Sequence, residues 1–122
     1  MEKKKVALYC RVACNNQNND VLDDHEQTLK KYAEAQNYEI VETIKEFGGG
    51  LDLNRPGINK IYEIADNGKV DAVIAKNISR YGRCSPAKIA DFVESLKEKN
   101  VEVLTMMDGD LKNIIPLLKS FS

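Results

Sequence analysis

Lys5-Val6-Ala7-Leu8-Tyr9-Cys10-Arg11-Val12-Ala13-Cys14-Asn15-Asn16-Gln17 starts as an apolar stretch bounded by charge and runs directly into a polar segment. The apolar part, Lys5 to Cys10, is too short for a stable helix and reads as a buried strand, which makes Arg11 to Gln17 the loop at its carboxyl end. Helix and strand patterns then alternate along the chain. Asp24 to Gln36 sets Leu29, Tyr32 and Ala33 at helical spacing, with acids early and lysines later, as an amphipathic helix requires. Tyr38 to Phe47 alternates Ile40, Glu42, Ile44 and Glu46 against Val41, Thr43 and Lys45 and is rich in β-branched residues, so it reads as a second strand.

Gly48-Gly49-Gly50 through Arg55 has no periodicity and reads as a mobile loop. Asn54 is placed to cap the next helix, with Pro56 in its first turn, Ile58, Ile61, Tyr62 and Ala65 on its apolar face and Asn67-Gly68 as its stop. Val70 to Ala75 is a third strand. Ser85 caps a helix from Pro86 to about Lys99 with Ile89, Phe92, Val93 and Leu96 on one side, and Val101 to Met106 is a fourth strand. From Gly109 onward, Leu111, Ile114, Ile115, Leu117, Leu118 and Phe121 suggest a last helix started or interrupted near Pro116.

Strands alternating with helices imply right-handed crossovers. The expected fold is therefore α/β: a mainly parallel sheet of four to five strands flanked by helices, a three-layer, flavodoxin-like arrangement. At 122 residues the chain is expected to form a single domain over 1–122. With 43% hydrophobic and 30% charged residues, and no apolar run near the roughly 20 residues of a bilayer span, it is not expected to enter a membrane. A net charge of −1 argues against an autonomous nucleic-acid binder. Three cysteines, Cys10, Cys14 and Cys84, and a single histidine offer no metal-ligand pattern; no metal or cofactor is expected, and a reducing, cytoplasmic setting fits.

In such a sheet, chemistry gathers at the carboxyl ends of the strands. All four arginines, Arg11, Arg55, Arg80 and Arg83, fall in the segments that follow the first three strands. Converging guanidinium groups suit phosphate oxygens, because they stay charged and offer forked donors; taken singly, each arginine is also an ordinary surface residue. Walker and dinucleotide glycine motifs are absent after the first strand, and a receiver-type acidic cluster is replaced by Tyr9-Cys10-Arg11.

These residues also carry a resemblance. Tyr9 to Gln17 resembles the serine recombinase signature Y-x-R-V-S-T-x-x-Q, Asn54-Arg55-Pro56-Gly57 is similar to the family's N-R-P-G segment, and Ser79-Arg80-Tyr81-Gly82-Arg83 resembles its S-R-x-x-R or D-R-x-x-R motif. Gln27 resembles a second family glutamine. The likeness covers about residues 5 to 108, in order, and is to the N-terminal catalytic domain of the resolvase and invertase recombinases. It implies site-specific DNA recombination through a phosphoserine intermediate, with Arg11, Arg55, Arg80 and Arg83 cradling the phosphate, Gln17 positioning it and Ser79 in support. Two departures matter. The nucleophile's position is Ala13, and the family's long oligomerisation helix is represented at most by its beginning, with no DNA-binding module after it. The resemblance therefore implies a catalytic-type domain without its nucleophile, with weak affinity for DNA and a monomeric or weakly dimeric state. The alternatives are a regulatory relic that pairs with active recombinase subunits or occupies DNA, and an unrelated small-anion enzyme.

Overall fold

The computed structural model describes residues 3–12, 19–47, 56–76, 81, 86–107 and 109–110. Strand β1 (Lys5–Val12) leads through helix α1 (Asn19–Ala35) to β2 (Glu39–Phe47), then α2 (Pro56–Asp66), β3 (Ala72–Ala75), α3 (Pro86–Glu98), β4 (Glu102–Thr105) and a short β5 (Gly109–Asp110). The sheet order is β2-β1-β3-β4-β5. The first four strands are parallel, and β5 runs antiparallel to β4.

Strand β1 lies inside the sheet and Val6 to Arg11 are all buried; Val6 to Cys10 are apolar, as a strand covered on both faces requires. Alternation divides its side chains. Ala7 and Tyr9 join Ile44, Val73, Ala75 and Val103 in a core closed by Ile58, Ile61 and Ile64 of α2 and Ile89, Phe92, Val93 and Leu96 of α3. Val6, Leu8 and Cys10 join Ala72, Ile74 and Leu104 in a second core closed by Leu29 and Ala33 of α1. Among the described helices, one thus covers one face and two cover the other, as right-handed crossovers require of this strand order.

The three helices with described bounds stop in the same way. Asn37, Gly68 and Asn100 adopt φ of 62°, 66° and 63°. At each, two backbone N–H groups turn back onto the last helical carbonyls, as in Gly68 to Ala65 at 3.1 Å and Lys69 to Ile64 at 3.2 Å. The Asn67-Gly68 stop signal is observed, whereas the two asparagines, which reach the left-handed region at modest cost, carried no such expectation.

Three expectations are corrected. The first strand extends to Val12, because β2 continues beside it and pairs Arg11 with Glu46 and Val12 with Phe47; Arg11 is therefore a strand residue and not a loop residue. Helix α1 begins at Asn19, five residues before Asp24. Gly109 does not open a helix: Gly109 and Asp110 pair with Thr105 and Leu104, which gives the edge of β4 hydrogen-bonding partners. The glycine loop from 48 to 55, the Asn54 and Ser85 caps and the segment 111–122 lie outside the described residues. Among the described residues no helix is long and apolar enough to cross a membrane.

Candidate functional site

The strand order reverses between β1 and β3, since β1 connects outward to β2 and the chain then returns across β1 to form β3. In open α/β sheets the crevice at the carboxyl ends of the strands beside such a reversal is where ligands bind. Arg11 stands there, one residue before the end of β1, with 0% of its surface exposed. By strand alternation it shares the face of Ala7 and Tyr9, the side covered by α2 and α3. Thr105, at the end of β4, is the other fully buried polar residue among those described. Both are engaged in polar or electrostatic interactions, as a guanidinium or hydroxyl removed from water must be.

The surroundings of Arg11 form a clasp. The Tyr9 hydroxyl donates to Glu46 Oε2 at 2.6 Å, and Glu46 Oε1 accepts the Gly57 N–H at 3.1 Å. A carboxylate at the end of β2 thus satisfies an N–H in the first turn of α2 and complements the positive end of the helix dipole. Gly57 is needed for this approach: a Cβ there would lie 3.0 Å from Tyr9 Cε1 and collide with the Glu46 carboxylate. The Tyr9 ring stacks on Tyr81 with centroids 5.8 Å apart and planes 6° from parallel, and Phe92 lies 5.5 Å from the Tyr81 ring. The buried Tyr81 hydroxyl is 2.7 Å from the Leu104 carbonyl and 3.0 Å from that of Val73, its proton shared between the backbones of β4 and β3.

The clasp ties together the backbone of β1, β2, α2 and Tyr81, which carry or adjoin the expected cradle arginines Arg11, Arg55 and Arg80. Arg11 is found at the expected edge. Gln27 is exposed on α1, which packs on the opposite face of the sheet, so the structure does not bring its side chain to Arg11. Ala13, Gln17, Arg55, Ser79, Arg80 and Arg83 lie outside the described residues. Glu46 was missed as a functional candidate because both rows of its alternating strand mix apolar and charged residues, Glu42 and Glu46 in one and Lys45 in the other. Its neighbour two residues back on the same face, buried Ile44, was the available signal. Cys10 is no substitute nucleophile: burial, reinforced by the Glu26 charge, pushes its thiol up to about 12. A groove of about 340 Å³ lies elsewhere, with Lys5 and Lys69 facing Glu39 and Glu42 along its walls, a mixture of signs that does not select an anion.

Comparison with known proteins agrees with this architecture. The resolvase N-terminal domain family matches residues 6–115. Two proteins of Acanthamoeba polyphaga mimivirus named as resolvases are 31% and 32% identical over 104 and 111 residues, covering 84% and 90% of this chain and 52% and 50% of theirs. The chain thus spans about half the length of the curated relatives it matches. Among solved structures, a resolvase family site-specific recombinase from Streptococcus pneumoniae is 26% identical with a TM-score of 0.81, over 97% of this chain and 85% of that one. The C-terminal catalytic domain of ISC1926 TnpA, described as an IS607-like serine recombinase, is 25% identical with a TM-score of 0.76, over 95% and 78% of the two chains. The N-terminal catalytic domain of TP901-1 integrase shares the fold, with a TM-score of 0.85 at 24% identity over 96% and 93%. A central strand ending on a buried arginine at the sheet's switch point, and these matches across nearly the whole chain, establish that the protein belongs to the serine recombinase family, as a resolvase-type N-terminal catalytic domain.

Proposed function

We propose that this domain holds a DNA phosphate at the carboxyl edge of its sheet but does not cleave the strand. Arg11, Arg55, Arg80 and Arg83 are the cations of the site, Gln17 orients the phosphate, and Ser79 supports it. The observation that carries this reading is the complete burial of Arg11 at the switch point, a costly placement for a charge that packing alone does not require. Cleavage by a serine recombinase forms an O–P bond from the serine hydroxyl as the bond to the leaving deoxyribose oxygen breaks and that oxygen takes up a proton. Fixed cations around the crowded phosphorus lower the barrier. Ala13 has no oxygen to form the bond, so the chain retains phosphate recognition without transfer.

Ala13 also favours a second reading from the class of binding modules, in which the domain regulates recombination by pairing with active subunits or occupying their DNA. One experiment addresses both. The domain is joined to the oligomerisation helix and DNA-binding module of an intact recombinase, and Ala13, Ala13→Ser and Ala13→Ser with Arg80→Ala are compared on that recombinase's site. A covalent protein–DNA product is expected with Ala13→Ser alone. A product from the Ala13 form would overturn the reading, and a folded Ala13→Ser form without product would favour the regulatory one.

A further inference from the structure

The family resemblance gives Tyr81 no role, since it occupies an unspecified place in S-R-x-x-R. Its surroundings are nonetheless highly specified. The ring has no exposed surface and lies between Tyr9, stacked at 5.8 Å, and Phe92, tilted at 5.5 Å. A leucine or phenylalanine would fill that space, but neither could donate to the carbonyls of Leu104 and Val73, which the Tyr81 hydroxyl reaches at 2.7 and 3.0 Å. The hydroxyl thus pins the residue to the backbones of β3 and β4, and the near-parallel ring pair makes Tyr9 move if Tyr81 moves. Tyr9 in turn holds Glu46, and Glu46 holds the start of α2.

The geometry points to Tyr81 as a positioning residue for the arginine site, acting through the Tyr9 stack and Glu46 to set the spacing of the three chain segments that bear Arg80, Arg11 and Arg55. Arg80 is bonded directly to Tyr81, Arg11 follows Tyr9 by two residues on the same strand face, and Arg55 precedes Gly57 by two. Within that reading, like charges brought together on separate segments repel one another and favour their spreading. A clasp of one ring stack and four short hydrogen-bond contacts opposes that spreading, and its own members need not touch DNA. Phosphate binding by several arginines depends on their being held together beforehand, because each segment left free must be ordered when the ligand arrives. The inference rests on the phosphate-site reading above and adds the device that organises the site.

The test uses the chain as it is, with a fluorescent duplex oligonucleotide whose binding is followed by anisotropy over a series of potassium chloride concentrations. The slope of log affinity against log salt counts engaged phosphates, at roughly 0.9 per contact. A loss of folded protein lowers the active concentration, measured by circular dichroism, and leaves the slope alone; a loss of positioning lowers the slope. Arg80→Ala supplies the reference, an expected fall of about 0.9. Tyr81→Leu is expected to lower the slope at least as far and to weaken binding several-fold. Tyr81→Phe and Tyr9→Phe keep the ring stack, break adjoining links and are expected to fall between it and the parent; they carry the test should Tyr81→Leu not fold. If Arg80→Ala lowers the slope while the tyrosine variants keep the parental slope, the clasp is packing alone and the inference is overturned, with the phosphate site intact. If the parent shows no salt-dependent affinity, or Arg80→Ala leaves the slope unchanged, the phosphate reading fails and the inference fails with it.

Discussion

At the amino end of the sheet, Lys4 meets Glu102 at 2.7 Å with 34% and 37% of the two side chains still exposed, and Asp71 accepts the Lys5 N–H at the surface. At the carboxyl end, Arg11 has no exposed surface, and the Tyr9 hydroxyl, Glu46 and the Gly57 N–H form a continuous polar chain beneath α2. The same kinds of group thus appear under opposite solvation. Water screens the amino-end pairs, and each contributes little beyond solubility and strand register. Arg11 has been stripped of water and the groups of the clasp partly so, so each must be matched in place, and losing one leaves its partners stranded. Polar groups under such constraint mark where a fold bears a cost for a site, here beside the reversal in strand order.

Substitutions at the two ends put that contrast to the test. Arg11→Ala removes a buried charge and leaves a cavity, with an expected loss of about 3 kcal/mol in urea unfolding; a cost no greater than that of Lys4→Ala would erase the distinction. Gly57→Ala forces a methyl group into the Glu46 carboxylate and the Tyr9 ring, for an expected loss of about 2 kcal/mol. A neutral result would mean that the clasp can open without penalty. Glu46→Gln keeps the shape but sets an amide N–H₂ against a donor, and about 1.5 kcal/mol should be lost, measured in the same way. Lys4→Ala at the exposed end is expected to cost about 0.5 kcal/mol.

An equally small effect, which vanishes in acid, concerns an ion-pair network on the α1 side, where Glu26 meets Lys45 at 3.1 Å and Lys30 at 3.2 Å. The hydrogen bond from Lys45, with help from Lys30, holds the Glu26 carboxyl below the usual glutamate range. The unfolded chain therefore takes up the proton first as pH falls. The stabilisation is complete above the ordinary glutamate pKa of about 4.3 and disappears as pH drops through the lower folded value. Glu26→Gln should cost about 0.5 kcal/mol near neutrality and nothing in strong acid. A difference in thermal midpoint that persists unchanged at low pH would assign the loss to packing.

Periodicity and punctuation in the amino-acid sequence determined the alternation of strands and helices, the parallel sheet, the apolar faces of all three described helices and the Gly68 stop, because each depends on residues close together in the chain. The motif order around Arg11, Arg55 and Arg80 likewise determined the family. Neighbours distant in the chain were decided by the tertiary structure alone. Arg11 became a buried strand residue because β2 runs on beside it, and Gly109 and Asp110 became a strand because β4 had an edge to pair. Glu46 reads locally as one more charged residue of an alternating strand, and Tyr81 as a filler between two arginines. Their joining through Tyr9 spans 37 residues in one link and 72 positions of chain in the other, a separation across which no local pattern carries information and only the packing of the sheet supplies the contact.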